Sequence, residues 1–559
     1  MRLNGSKSGE TVSSTIERLR AARPETPRVA PGMQRVLSLP VRQDTDVDLT
    51  KTYHKEGQQF QLRSIQSRAL REIERMGGLV APIGVGHGKF LISALAGTAL
   101  KAERPLLLVP PALVAQTEKE IQKFREVCKI PDNLQVLSYG KLSVAAGTAL
   151  LESIRPDVIV ADECHYLRHR TAARTKRVIR YFKNHPSTKF VGLSGTLTSK
   201  SLKDYAHLVE LALRGDSPIP LQYWELELWA SCVDVNGEPD DYARQCFQPM
   251  VSQYGGTARR AFYERFKSTP GVIATTDSSA SCSLYLRNVE SDYIVPNIIR
   301  TSLRNLERTW TTPSGEEIED ALAMERYRQQ ILAGFYYEWE WPNGKVDWLW
   351  LDTRAEWHRQ VRRVLKRSLE GKDSPLLVAR WAQSGDCRDQ ALIDAWNEWD
   401  SVRHRPQPPV NTVWINEYLV DRCMGILSDR NRPPTIVWCH HKALLEAFER
   451  RGLTTYKAGS EIPDRPAHHC AMSMKAHGTG KNLQKWSENL LTYFPSNGST
   501  LEQLIGRTHR PGQEADEVNV MYFKQHRSVN KQIEKALEIS RYIQDTQGNR
   551  MKILSATWI

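Results

Sequence analysis

The sequence lacks any apolar run near the roughly 18 residues that a membrane-crossing helix needs, so no membrane partner is expected. Cysteine is sparse: nine in 559 residues, with no C-x-x-C pair and no regular spacing. That pattern argues against a zinc cluster and suits a reducing compartment. Residues 1–48 have no apolar h-region, so no secretory leader is expected there. They are polar, with Arg, Ser, Pro and Thr prominent, and read as a loosely ordered arm with one short helix near 14–22. Acid is the scarcer charge: 64 Asp and Glu against 77 Lys and Arg, a net +13. An excess of base favours a polyanionic partner.

The chain is organised around residues 77–100. A short apolar run at 79–83 reads as a buried strand. Gly84, Gly86 and Gly88 then alternate, with His87 before the last of them, and Lys89 follows. From Phe90 to Leu100 the composition is that of a buried helix. Such a loop cradles phosphate: glycines let N–H groups curl round an anion, the helix N-terminus adds its dipole, and lysine adds charge. One residue departs from the usual pattern. Where Ser or Thr normally offers a hydroxyl to Mg²⁺, this chain has Phe90.

Strand-like runs at 106–109, 134–139, 157–161 and 190–193 alternate with helical stretches, which predicts a parallel α/β sheet. The run at 157–161 leads into Asp162-Glu163-Cys164-His165. Two carboxylates at a strand end beside a phosphate loop suit Asp162 to hold Mg²⁺ through water and Glu163 to orient and deprotonate the attacking water. Ser194-Gly195-Thr196 closes the last run, and small hydroxyl residues there can link nucleotide to bound strand. Gln66, on a helical stretch before the loop, can both donate to and accept from an adenine edge.

Residues 213–409 break this rhythm and are rich in Trp, Tyr and Arg. Helices are expected near 299–310, 316–333 and 355–369. The last carries Arg359, Arg362, Arg363 and Lys366 on one side, a face that a phosphate backbone could follow or that is simply solvated. Its tryptophans read mainly as core. Strands resume at 435–439, 470–474 and 490–494. After 470–474 come Lys475, Gly478, Thr479, Gly480 and Asn482, where closely spaced glycines let backbone meet nucleotide or nucleic-acid phosphate. Then comes EQLIGRTHRPGQ, residues 502–513. On a helix, Gln503, Arg507 and Arg510 share a face, and two guanidiniums there can stabilise charge on a transferred phosphoryl group.

The order of these motifs resembles the superfamily 2 helicases. The stretch 475–483, Gln503 through Gln513 and the strand at 518–523 resemble the SNF2-like branch, and the compact size is similar to forms encoded by tailed bacteriophages. The resemblance implies two RecA-like parallel-sheet lobes in tandem, 49–212 and 410–559, with a mainly helical insertion at 213–409. It implies ATP and Mg²⁺ as cofactors and duplex DNA as the favoured partner, with RNA the less favoured. The activity implied is DNA-stimulated ATP hydrolysis driving translocation, in a cytoplasm (a host's if viral) or a nucleus if eukaryotic. Gln66 would take adenine, Lys89 the phosphates, Asp162 the Mg²⁺, Glu163 the water, and Arg507 and Arg510 the γ-phosphate. The alternative of another class is a nucleotide-gated DNA-binding module whose hydrolysis Phe90 impairs.

Overall fold

A computed structural model describes residues 29–43, 47–57, 60–84, 86–198, 200–275, 282–289, 295–313, 315, 317–318, 320–367, 371–463, 468–478 and 481–559. The helix expected near 14–22, and Thr479 and Gly480, lie outside them.

The first sheet holds β1 (Leu79–Pro82), β2 (Pro105–Val109), β3 (Gln135–Ser138), β4 (Val158–Asp162) and β5 (Lys189–Ser194). Its order is β1-β5-β4-β2-β3, and every pairing is parallel. Parallel strands covered on both faces read as continuous apolar runs, and these do. Val80, Leu106, Leu108, Ile159 and Ala161 face one core, while Leu79, Ala81, Leu107, Val158 and Val160 face the other. The carboxyl ends of β1, β4 and β5 are neighbours, so the three motif-bearing loops meet at one edge.

The first unit extends further than expected. Helices Tyr223–Val233, Asp241–Tyr254 and Ala258–Lys267 share its core through Trp229, Phe247, Phe262 and Phe266. Residues 271–275 then run along β1, with Ile273 N–H donating to Val80 O at 3.2 Å and Thr275 N–H to Pro82 O at 3.3 Å. Part of the expected loose arm is also docked. Helix Pro31–Ser38 buries Met33 and Val36, and Arg35 donates to Ser217 O at 2.7 Å and Ile219 O at 2.8 Å.

The second half opens with β6 (Ser283–Asn288). β7 (Phe335–Trp339) and β8 (Val410–Trp414) form an antiparallel pair. β9 (Thr435–Cys439), β10 (Thr454–Tyr456), β11 (Cys470–Ser473), β12 (Glu488–Leu491), β13 (Glu517–Tyr522) and β14 (Thr557–Trp558) follow. The second sheet is parallel throughout, in the order β10-β11-β9-β12-β13-β6-β14. Here the expected boundaries need correction. β6 falls inside the stretch assigned to an insertion, yet it pairs with β13 over six residues in the second sheet. A six-residue strand separated in sequence from its sheet shows no α/β rhythm around it, which is why it was missed.

Helices Asn297–Thr309, Ala321–Leu332 and Tyr418–Leu427 cover one face of the second sheet through Ile299, Leu306, Ile331 and Leu419. Between β7 and β8, helices Trp348–Lys366, Pro375–Gln383 and Gln390–Val402 enclose a separate small core. Trp357 and Trp396 meet edge to face there, ring centroids 5.0 Å apart. The basic face expected on the first of these helices is partly spent on neighbours, with Arg363 bonded to Asp389 at 2.6 Å and Arg359 paired with Glu356. Among the described residues, no helix is long and apolar enough to cross a membrane.

Candidate nucleotide and nucleic-acid site

The loop after β1 runs straight into helix Lys89–Ala99, whose N-cap is Gly88. Gly86 and Gly88 have φ of +95° and +76°, a region that costs residues with a Cβ about 1–2 kcal/mol. A Cβ on Gly88 would also come within 2.5 Å of Gln66 Nε2. Lys89 Nζ donates to Ile83 O at 3.0 Å, folded back onto its own loop.

Gln66, expected to take adenine, stands against the glycine loop. It is buried at the start of helix Ser64–Met76. Its Oε1 accepts from Arg63 N–H at 2.8 Å, and its Nε2 donates to Gly88 O at 2.9 Å. Arg63 Nη1 donates to Gly86 O at 2.7 Å. Both side chains therefore brace the glycine loop, Gln66 using one donor and one acceptor of its amide.

At the end of β4, Asp162 Oδ1 is enclosed and has no hydrogen-bond partner among the described residues. Burial, and then the Glu163 carboxylate, push the Asp162 carboxyl up from its ordinary range, with Lys89 opposing. An enclosed carboxylate oxygen short of a partner beside a phosphate loop fits a hard cation, so these residues fit Mg²⁺. Glu163 sits at φ +54°, strained backbone of the kind found at functional sites. Burial works against its charge, but Lys89, His165 and Arg507 outweigh it and hold Glu163 well below the usual carboxylate range. His165 Nδ1 lies 3.2 Å from Glu163 Oε2 and 2.9 Å from Ser194 Oγ. Ser194 Oγ accepts from Thr196 N–H at 3.2 Å, and Thr196 Oγ1 meets Ser499 Oγ of the second unit at 2.5 Å. A polar chain thus runs from Glu163 across to the other half. His165 and Ser499 were not singled out from sequence; His165 had a signal in its place after Asp162-Glu163, and Ser499 had none.

The helix carrying Gln503 and Arg507 spans Gly498–Thr508. Arg510 lies beyond its end rather than on it, because the chain turns at His509 ahead of Pro511-Gly512. The hydrogen bonds of both arginines stay within the second unit, while their charges are felt in the first. Burial and Arg510 pull Arg507 down to about 10 while Glu163 pulls it up. Arg510 is lowered by burial and by Arg63, with Glu120 opposing. Arg507 donates to Gln503 O at 2.9 Å and Lys481 O at 3.2 Å, and Arg510 donates to Asn482 Oδ1. A cleft between the halves is lined by Gly84, His87, Gly195, Thr196, Gln503 and His509. Lys475 is exposed on the short helix Met474–His477, and Gly478 is buried just after it. Phe90 turns to packing, its ring 5.7 Å from that of Phe124.

These features define an α/β protein with two parallel sheets and a polar cleft between them. Residues 59–199 match the family model described as type III restriction enzyme, res subunit, which is a superfamily 2 helicase-type, ATP-hydrolysing domain. The matched stretch holds Gln66, the glycine loop, Asp162-Glu163 and Ser194-Gly195-Thr196. No curated protein matches the chain.

Proposed function

We propose that the chain is an ATP-dependent DNA motor of SNF2-like type, in which hydrolysis stimulated by duplex DNA drives movement along it. The observation that carries this is the cleft between the halves, where Gly84 and Thr196 of the first unit stand opposite Gln503 and His509 of the second and Thr196 Oγ1 lies 2.5 Å from Ser499 Oγ. A composite pocket of this kind reads lobe closure directly as chemistry.

Loop amides and Lys89 would bind the triphosphate. Asp162 would hold Mg²⁺, which when bound neutralises phosphate charge. Glu163, kept ionised, takes a proton from the water that attacks the γ-phosphorus as the bond to ADP breaks. Arg507 and Arg510 meet the negative charge of the transferred phosphoryl group. Thr196, bonded to Ser499, joins the chemistry to the second half. DNA lies across both units, gripped through its backbone by groups that include Lys475, Gly478, Thr479 and Asn482, so sequence preference is slight. The setting is a cytoplasm, a host's if the chain is viral, or a nucleus if it is eukaryotic.

Phosphate release with duplex DNA, single-stranded DNA, RNA or no polymer tests this. Stimulation is expected to be largest with duplex DNA, and Glu163→Gln to lower the stimulated rate by about 100-fold or more. No stimulation by any polymer would overturn the motor reading. Phe90 favours one second reading, a nucleotide-gated binding module. ATP binding without turnover would support that one.

A further inference from the structure

We infer that Asn549 and Thr275 are positioning residues of the proposed ATPase, clasping the phosphate loop to the arginine-bearing helix. The inference rests on the motor reading above and goes beyond it by assigning work to the C-terminal segment.

The path of the chain is unusual. It leaves the second sheet at β13, runs through helix Arg527–Gln547, touches the first unit, and returns to the second sheet as β14 beside β6. Both ends of this strap are anchored in one half, and its apex is bonded to the other. Gln547 Oε1 accepts from Leu197 N–H and its Nε2 donates to Thr198 O, each at 2.8 Å. Asn549 Nδ2 donates to Gly195 O, and its Oδ1 accepts from Thr275 Oγ1 at 3.3 Å. Gln547 and Asn549 are 0% and 4% exposed, so these amides have little access to water as an alternative partner. Gly548 between them turns at φ +78°, where a Cβ would strike the Tyr263 ring at 2.4 Å.

Thr275 closes the connection. Its hydroxyl accepts the N–H of Gly84, the first glycine of the phosphate loop, at 2.9 Å while donating to Asn549. Thr275 belongs to the segment that extends the first sheet along β1. Just past Asn549, Lys552 N–H donates to Glu502 Oε2 at 2.7 Å, on the helix that carries Arg507. One short stretch therefore ties three things together: the entrance of the phosphate loop, the loop after β5 through Gly195, and the helix that presents the guanidinium. Any shift of the loop on taking up phosphate is passed to that helix, and any shift of the helix is passed back.

The test uses the full chain, with hydrolysis measured against ATP concentration with and without duplex DNA, plus direct binding of a fluorescent ATP analogue. Thr275→Val removes the hydroxyl at equal size, and Thr275→Ser keeps it. Thr275→Val is expected to raise KM for ATP and weaken analogue binding about fivefold, with Thr275→Ser close to wild type. Asn549→Ala is expected to lower the ratio of DNA-stimulated to basal kcat about fivefold, with a smaller effect on KM. Wild-type constants and stimulation in both Thr275→Val and Asn549→Ala would overturn the inference. So would equal damage from Thr275→Val and Thr275→Ser, since that marks a packing role only. If Asn549→Ala folds poorly, the Thr275 pair decides. Failure of the wild type to bind or hydrolyse ATP is a different result, seen before any variant is compared; it removes the motor reading and this inference with it.

Discussion

At residue scale two side chains shape the site. Gln66 bonds Arg63 N–H and Gly88 O and so shapes the loop. Phe90 is spent on Phe124, so the first helical turn trades a Mg²⁺-facing hydroxyl for hydrophobic contact. Phe90→Thr is expected to lower the Mg²⁺ concentration needed for half-maximal hydrolysis, and to cost about 1–2 kcal/mol of stability through lost aromatic packing. An unchanged or lower rate at limiting Mg²⁺ would remove that account of Phe90. His207 sets a pH limit. Its Nε2–H donates to Leu167 O at 2.9 Å, Nδ1 is enclosed without a partner among the described residues, and burial pulls its pKa down to about 4. In the unfolded chain histidine titrates near 6.5. Above that pH both states are neutral and this residue adds no pH dependence. As pH falls from about 6.5 towards 4, only the unfolded state takes the proton, so stability drops, by about 3 kcal/mol at the lower end. Urea unfolding at a series of pH values should show this slope, and His207→Gln should make it shallower, leaving the part owed to His441, which burial also pulls down to about 4.

At the scale of elements, the helical group between β7 and β8 is tied to both halves. Its stem packs on the second sheet, where Phe335 is buried in that core. Its far side is fixed to the first unit by Arg177, which donates from Nη2 to Asp373 Oδ1 at 2.7 Å and from Nε to Oδ2 at 3.1 Å. Both side chains are essentially inaccessible, at 1% and 2%. A buried pair adds little net stability, but breaking one is costly because the remaining charge has no partner. Asp373→Ala is therefore expected to destabilise by about 3–5 kcal/mol, read as a lower urea midpoint, and Arg177→Met combined with Asp373→Leu to recover much of it. A loss below about 1 kcal/mol for Asp373→Ala would mean that the contact opens freely in solution.

For the whole molecule, the +13 charge and the proposed backbone grip lead to one expectation. Duplex affinity should fall linearly with log salt, at a slope of about −0.9 per phosphate neutralised. Binding measured between about 50 and 200 mM salt should lose about tenfold or more, and a flat profile would mean that backbone charge is not what is read. Much of this architecture was legible in the chain, because parallel strands buried on both faces must be continuous apolar runs and phosphate loops must carry glycines ahead of lysine. The runs at 79–83, 106–109 and 157–161 announced in that way the strands Leu79–Pro82, Pro105–Val109 and Val158–Asp162. β6 did not, since its partners lie more than two hundred residues later in the chain. Nor did Thr275, Gln547 and Asn549, whose residue types are ordinary and whose partners are distant in sequence. Sequence alone determined the chemical inventory of the cleft, since charge, hydroxyl and flexible glycine are properties of single residues and short spacings. Tertiary structure decided which of those groups face one another and which have already spent their hydrogen bonds, because that depends on the packing of segments that the chain keeps far apart.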